Sequence, residues 1–458
     1  MASDRPDPAA PPDAAAIAAL QARGRFGIRL GLGRTRALLR ELGSPERELR
    51  GALIGGTNGK GSTQAMVASM LRAGGLRVGQ TPKPHLVDYR ERIVVDGRPI
   101  AAEAFAALLD EVLAAADRVE RRHGAPTEFE TLTAAAFLWF ARAGVDVAVV
   151  EVGLGGRLDA TNAWDGGVAA IVNVQRDHME YLGDTIPAIA REKAAIIKRG
   201  DRAVTGADGE GLTVIRRRAA RVRAPLLVAP PLPVVAMDRL GTTVLDPVRG
   251  ELRLGLLGAH QGANAAVALG IVDALGAAGI ARVDDDAVRA GLAGARWPGR
   301  LELLSIDPGG RAGPTGPVPV PGRPDLLLDG AHNAAGAAAL AAAIEALAPS
   351  LSGGRVTLLL GVMRDKEVDV MLAALRSSAR LDRALVVAVT VPDAPRSLSG
   401  AELAALWRPG DVTASDALPE AWERAVSLAR AAEGPLVVAG SLYLVGAVRA
   451  LMLPGDGA

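Results

Sequence analysis

Apolar runs of strand length alternate with helix-like stretches along almost the whole chain, and few folds accept that order. Residues 145–152 (VDVAVVEV) and 169–174 are near-continuous apolar runs, the pattern of strands buried on both faces of a parallel sheet. After residue 320 the alternation restarts. A strand at 325–329 precedes an Ala-rich helix from Ala334, and a strand at 356–360 precedes a helix near 368–375. A strand at 385–391 precedes a helix from Ala401, and a strand at 436–439 precedes a last helix. The pattern predicts an α/β protein of two units, each built on a parallel sheet, and 458 residues suffice for both. Segment 307–324 (DPGGRAGPTGPVPVPGRP) is too rich in Gly and Pro for regular structure. We read it as a surface loop of the second domain rather than a linker, with 300–306 as that domain's first strand and the boundary near Pro298. The expected divisions are a disordered tail at 1–14, a first domain at 15–297 and a smaller second domain at 298–458.

Composition narrows the function. Hydrophobic residues make up 49% of the chain but aromatics only 3%, so the core is mostly Ala, Leu and Val. The 52 basic and 51 acidic residues argue against nucleic acid or an anionic membrane as a partner. With no cysteine, disulfides, thiolate catalysis and Cys-ligated zinc are excluded, which fits a cytoplasmic protein. The start of the chain is rich in Pro, Ala and Asp and lacks the basic-then-apolar pattern of a secretory signal. The longest apolar run, 263–280, is Ala/Gly-rich and carries Asn264 and Asp273, which does not suit a membrane span.

The chemistry begins at Ile54-Gly55-Gly56-Thr57-Asn58-Gly59-Lys60-Gly61-Ser62-Thr63. An apolar run enters this stretch and a helix-compatible one leaves it. A strand, glycine-rich turn and helix cradle a phosphate, because the first helical N–H groups have no internal partner and glycine lets the anion approach. Lys60 adds a point charge. The strict P-loop pattern would have Gly at 54 and Ser or Thr at 61, so the match is partial.

Other polar residues fall at strand ends, where parallel sheets bind ligands. Glu151 closes the run 145–152 and precedes Gly153, Gly155 and Gly156, which suits a Mg²⁺ ligand and equally a helix cap or a solvated acid. His178 follows the run 169–174; a lone histidine is more often structural than a ligand. Lys193 lies in a helical stretch, where pattern alone reads an exposed lysine paired with a neighbouring acid. Asp329 and His332, with Asn333, sit between a strand and a helix, a pattern that also serves an N-cap. Arg300 follows Trp297-Pro298-Gly299 and could reach a phosphate.

These motifs, in this order, resemble the folylpolyglutamate synthase/dihydrofolate synthase family, ATP-dependent amide ligases related to the Mur ligases. The resemblance runs from about Ile28 to Met452. It is carried by GTNGKGST (56–63), FETLTAAAF (129–137), EVGLGGRLDATN (151–162), DHMEYLG (177–183), IAREKAAIIK (189–198), WPGRLE (297–302), LDGAHN (328–333), GVMRDKE (361–367) and GSLYLV (440–445). It implies a P-loop-type ATP-binding domain followed by a Rossmann-like glutamate-ligase domain. Thr57, Asn58, Gly59, Lys60, Gly61 and Ser62 would hold the ATP phosphates, with Asn264, Arg300, Asp329 and His332 at the nucleotide. Glu151, His178 and Lys193 would hold Mg²⁺, with K⁺ a possible further ion and Lys193 carried as a carbamate. Lys60, Lys193 and His178 would be the catalytic groups. Thr127, Phe129 and Asp159 would line the pterin site. The reaction implied is acyl-phosphate formation on dihydropteroate or a folate, then attack by L-glutamate, in a monomer with no nucleic-acid or membrane partner. Closure of the second domain over ATP would complete the site.

The chain departs from the family at Thr81-Pro82-Lys83-Pro84-His85, where Ser-Pro-His is usual and the serine helps to hold a magnesium. A protonated lysine repels a metal. Lys83 could contact the phosphates in a cation's place, Thr81 or a water could take the ligand role, or the chain could be a paralogue with altered activity. A Mur-type ligase with another acceptor and a non-catalytic nucleotide-binding protein are the alternatives. Phe129 and Asp159 count against the first, and Lys83 is what favours the second.

Overall fold

The computed structural model describes residues 11–24, 31–364, 367–407 and 411–452. Residues 1–10 of the expected tail, Ile28, and Asp365 and Lys366 of GVMRDKE lie outside them. The chain divides into two compact units, Met1–Pro231 with Ala263–Gly291, and Leu232–Gly262 with Leu292–Ala458.

The first unit is built on eight strands: β1 (Gly51–Gly55), β2 (Val78–Thr81), β3 (Val94–Val95), β4 (Arg98–Pro99), β5 (Val147–Glu151), β6 (Gly167–Ile171), β7 (Arg202–Thr205) and β8 (Leu226–Val228). Their order is β4-β3-β2-β5-β1-β6-β7-β8. From β2 to β8 the pairings are parallel, while β3 and β4 form an antiparallel edge. β1 and β5 are buried at every residue and sit in mid-sheet, which is why neither shows polar alternation. Ile54 pairs with both Glu151 and Ala170, so the carboxyl ends of the three central strands lie level. The core beneath is Ala- and Leu-rich, and two of its rings meet: Phe137 and Trp164 are 5.7 Å apart between centroids.

In the second unit, β9 (Val234–Asp238), β10 (Gly241–Asp246) and β11 (Gly250–Leu254) form a small antiparallel sheet. The main sheet contains β12 (Glu302–Ile306), β13 (Ala312–Pro314), β14 (Asp325–Leu328), β15 (Thr357–Leu360), β16 (Leu385–Val389), β17 (Val412–Ser415) and β18 (Leu436–Ala439), in the order β13-β12-β14-β18-β15-β16-β17. The strands from β14 to β17 are parallel, as the sequence predicts. β12 and β13 are antiparallel, because the connection from β12 to β14 contains no crossover helix. The Gly/Pro-rich segment therefore does hold one short strand. Pro314 is tolerated there because β13 is the sheet's outermost strand and needs no second ladder. A buried ion pair clamps this unit: Arg239 donates to both oxygens of Asp325 at 2.8 and 2.6 Å and to the carbonyls of Gly316 and Ser350. No helix among the described residues is long and apolar enough to cross a membrane.

Candidate active site

The loop after β1 is held open by side chains rather than by its own hydrogen bonds. Asn173, just past β6, accepts from the backbone N–H groups of Thr57 (3.2 Å) and Asn58 (3.0 Å), and its amide donates back to Asn58 O. Gln175 N–H donates to Thr57 Oγ1, and Asn58 donates to Gln175 Oε1 at 2.8 Å. The helix Lys60–Ala73 starts at once, and its first ladder bond is Thr63 N–H to Gly59 O at 2.9 Å. The N–H groups of Lys60, Gly61 and Ser62 precede that ladder, the arrangement at a helix start that suits an anion. Gly59 has φ +79°, and a Cβ there would lie 2.1 Å from Asn264 Oδ1, so only glycine lets Asn264 pack on the loop.

Three amines gather around this loop. Lys60 Nζ donates to Gly56 O (3.3 Å) and Thr57 O (3.1 Å) and lies 4.0 Å from Glu151 Oε1. Glu151, at the end of β5, is 3% exposed, so it is not a solvated acid, and it closes a strand rather than opening a helix. Lys193 corrects the reading from pattern alone. It is 4% exposed and donates to Gly56 O at 2.9 Å, because the helix Ile186–Ala194 turns this face toward the loop. Burial, with the nearby Lys60 charge, pushes its amine down to about 7 against the pull of Asp177 and Asp159. Lys83 Nζ donates to Glu151 O at 2.7 Å and stands 4.5 Å from the centre of the Phe129 ring. Burial lowers its amine to about 8, opposed by Asp159 and Glu151.

His178 is the most exposed member: its side chain is 46% exposed, at the N-cap of the short helix Met179–Leu182. It lines a small cleft with Thr57, Lys60, Gly153, Asp177 and Lys193. Leaving β5, the chain turns from this cleft to Phe129 and Asp159. A Cβ on Gly153 would come within 2.7 Å of Phe129 Cζ and 3.1 Å of Asp159 Oδ2. Asp159 is buried and committed to its own turn, accepting from Leu154 N–H, Thr161 N–H and Thr161 Oγ1. Thr127 caps the helix Glu128–Ala143 through a reciprocal pair with Glu130.

Arg300, Asp329 and His332 cluster in the second unit. The buried Asp329 carboxylate accepts from Leu301 N–H (2.8 Å) and Ala331 N–H (2.9 Å), and its pKa is raised by burial. Asn333, not Asp329, caps the following helix, Ala334–Leu347. His332 Nδ1 lies 2.8 Å from Gly330 O, and Arg300 donates to the same carbonyl at 3.4 Å. The expected residues thus fall into two groups, one in each unit. The sequence reading missed Asn173 and Gln175, although two polar side chains directly after a buried strand were the available signal.

Known proteins reproduce this plan. Residues 54–229 match the Mur ligase middle domain, and residues 318–442 match the Mur ligase, glutamate ligase domain. The Bacillus subtilis dihydrofolate synthase/folylpolyglutamate synthase is 37% identical over 372 residues, covering 79% of this chain and 82% of that protein. The structure of Mycobacterium tuberculosis folylpolyglutamate synthase complexed with ADP superposes with a TM-score of 0.82 at 34% identity, covering 96% of this chain and 99% of that one. An Escherichia coli structure in complex with DHPP and ADP superposes at 0.79 and 30% identity, covering 98% of this chain and 99% of that one.

Proposed function

This chain belongs to the dihydrofolate synthase/folylpolyglutamate synthase family of ATP-dependent ligases, and from that premise we propose that it joins L-glutamate to a carboxylate of dihydropteroate or of a folate. The observation that carries the reading is segment 151–162. Within twelve residues it runs from the buried Glu151 beside the phosphate loop to Gly153 against Phe129 and on to Asp159. A phosphate site and an aromatic platform joined this closely suit transfer of a phosphoryl group to a ring-bearing acid.

In this reading an acceptor carboxylate oxygen attacks the terminal phosphorus of ATP and ADP leaves. The amine of glutamate then attacks the acyl carbon, phosphate departs, and the amine loses a proton. The protein's part is alignment and charge neutralisation. The N–H groups at Lys60, Gly61 and Ser62 and the Lys60 ammonium take the phosphates. Phe129 offers its face to the acceptor's ring and Asp159 an acid to its polar edge. Asn264, packed on the loop, serves the nucleotide in the first unit, while Arg300, Asp329 and His332 form the polar cluster of the second.

Magnesium goes with this donor set on one condition. No group of three acidic or histidine side chains stands ready for a metal among the described residues. Lys193 supplies what is missing, because a buried amine held near 7 is substantially uncharged at neutral pH and can add CO₂. As a carbamate it becomes an oxygen ligand beside Glu151 and His178, a set that Mg²⁺ accepts. A bound ion would neutralise phosphate charge there. We place the protein in the cytoplasm as a monomer.

The test is phosphate release from Mg-ATP and L-glutamate with dihydropteroate, with tetrahydrofolate, or with no acceptor. Release with dihydropteroate alone marks a dihydrofolate synthase, and release with both marks a bifunctional enzyme. Silence with both returns the chain to a non-catalytic or changed-acceptor role.

A further inference from the structure

Three amines surround the loop after β1, and their partners separate them. Lys60 and Lys193 both donate to Gly56 O, which places them on the phosphate side. Lys83 alone touches the aromatic side. Its nitrogen sits between Glu151 O at 2.7 Å and the Phe129 ring at 4.5 Å from the centroid. Neither contact is a carboxylate. The charges of Asp159 and Glu151 reach this amine, but Asp159 already takes three donors from its own turn, and Glu151 is shared with Lys60 at 4.0 Å. An ammonium carries three donors, and the carbonyl takes one. The remainder can serve an anion where the loop after β1 meets the Phe129 ring.

We propose that Lys83 binds the reacting carboxylate of the acceptor and holds it where it meets the terminal phosphate. The inference rests on the ligase reading above and adds to it the group that brings the two anions together. A carboxylate moving toward a polyphosphate meets strong repulsion, and a fixed cation at the meeting point offsets it without reorganising in the reaction. Lysine suits this place because a point charge does not demand bidentate geometry and leaves the oxygen free to turn toward phosphorus. The acceptor class follows: a flat ring for Phe129, with a carboxylate within reach of Lys83.

The experiment measures binding, not turnover. Dihydropteroate and its methyl ester are titrated into the wild-type chain, Lys83→Met and Lys83→Arg by fluorescence, each saturated with the non-reacting nucleotide AMPPCP. Wild type is expected to prefer the acid over the ester by about tenfold or more, the size of a charge-assisted hydrogen bond. Lys83→Met should lose that preference while binding the ester and AMPPCP as wild type does, which also shows that it is folded. Lys83→Arg should keep most of it. An undiminished acid preference in Lys83→Met overturns the proposal alone. So does a loss confined to AMPPCP affinity, which would assign Lys83 to the nucleotide. A wild-type chain that binds neither acid nor ester removes the acceptor reading itself, and the proposal with it.

Discussion

The carboxyl ends of the two parallel sheets carry acids at equivalent places, after β5 and after β14, but the chain treats them differently. Asp329 is answered by two backbone N–H groups of its own unit, with the Arg300 charge nearby. Glu151 is surrounded by amines: Lys60 at 4.0 Å and Lys83 on its own carbonyl, with Lys193 on the neighbouring Gly56 carbonyl. A backbone-satisfied acid is rigid and self-sufficient. Three amines crowd at a buried strand end, and burial lowers two of them, so their charge responds to what enters the site. The difference supports our proposal that the phosphate chemistry lies in the first unit, with Asp329 in a holding role.

The sharpest way to break this comparison is Lys60→Ala. We expect turnover to fall by about 10³-fold, the scale of losing a fixed charge on a developing anion, with the circular dichroism spectrum unchanged. Full activity would remove the phosphate assignment. Glu151→Gln comes next, at about 10²-fold, with the Mg²⁺ titration moved to higher concentration; an unmoved titration refutes its ligand role.

Much of this contrast was legible in the sequence. The buried strands, the phosphate loop and Glu151 at a strand end all follow from apolar runs and glycines, which are local signals. Lys193 was not legible from pattern, because its helix carries Arg191 and Glu192 beside it and only tertiary packing turns it inward. β17, β10 and β11 were missed for a related reason: polar or charged residues interrupt them, so the continuous apolar run that betrays β5 is absent. Thr127 and Asp159 show how one residue can serve two readings. Their local capping bonds are structural, while the closeness of Asp159 to Phe129 around Gly153 is what the proposed acceptor site draws on.

Lys193→Met tests the amine crowd through stability. The folded amine sits near 7 and an unfolded lysine near 10.5. Between those values the unfolded chain binds the extra proton, so wild-type stability rises with pH across that window. Below about pH 7 the full cost of burying the ammonium is present. Methionine has no such cost, so the melting temperature of Lys193→Met relative to wild type should be highest at pH 6 and should decline by several degrees toward pH 9. A pH-independent difference would mean that Lys193 is not held depressed in the fold.

Asp329→Asn makes the smallest change and sharpens the comparison from the other unit. An asparagine oxygen can accept from Leu301 N–H or from Ala331 N–H, but its amide then faces the second donor with a donor of its own. That mismatch costs about 1–3 kcal/mol, a drop of several degrees in melting temperature. If Asp329 chiefly holds the β14 turn and the Arg300 loop together, turnover at saturating ATP should fall less than tenfold. A loss of turnover as steep as that of Lys60→Ala, with the melting temperature unchanged, would put Asp329 among the reacting groups and erase the distinction between the two strand ends.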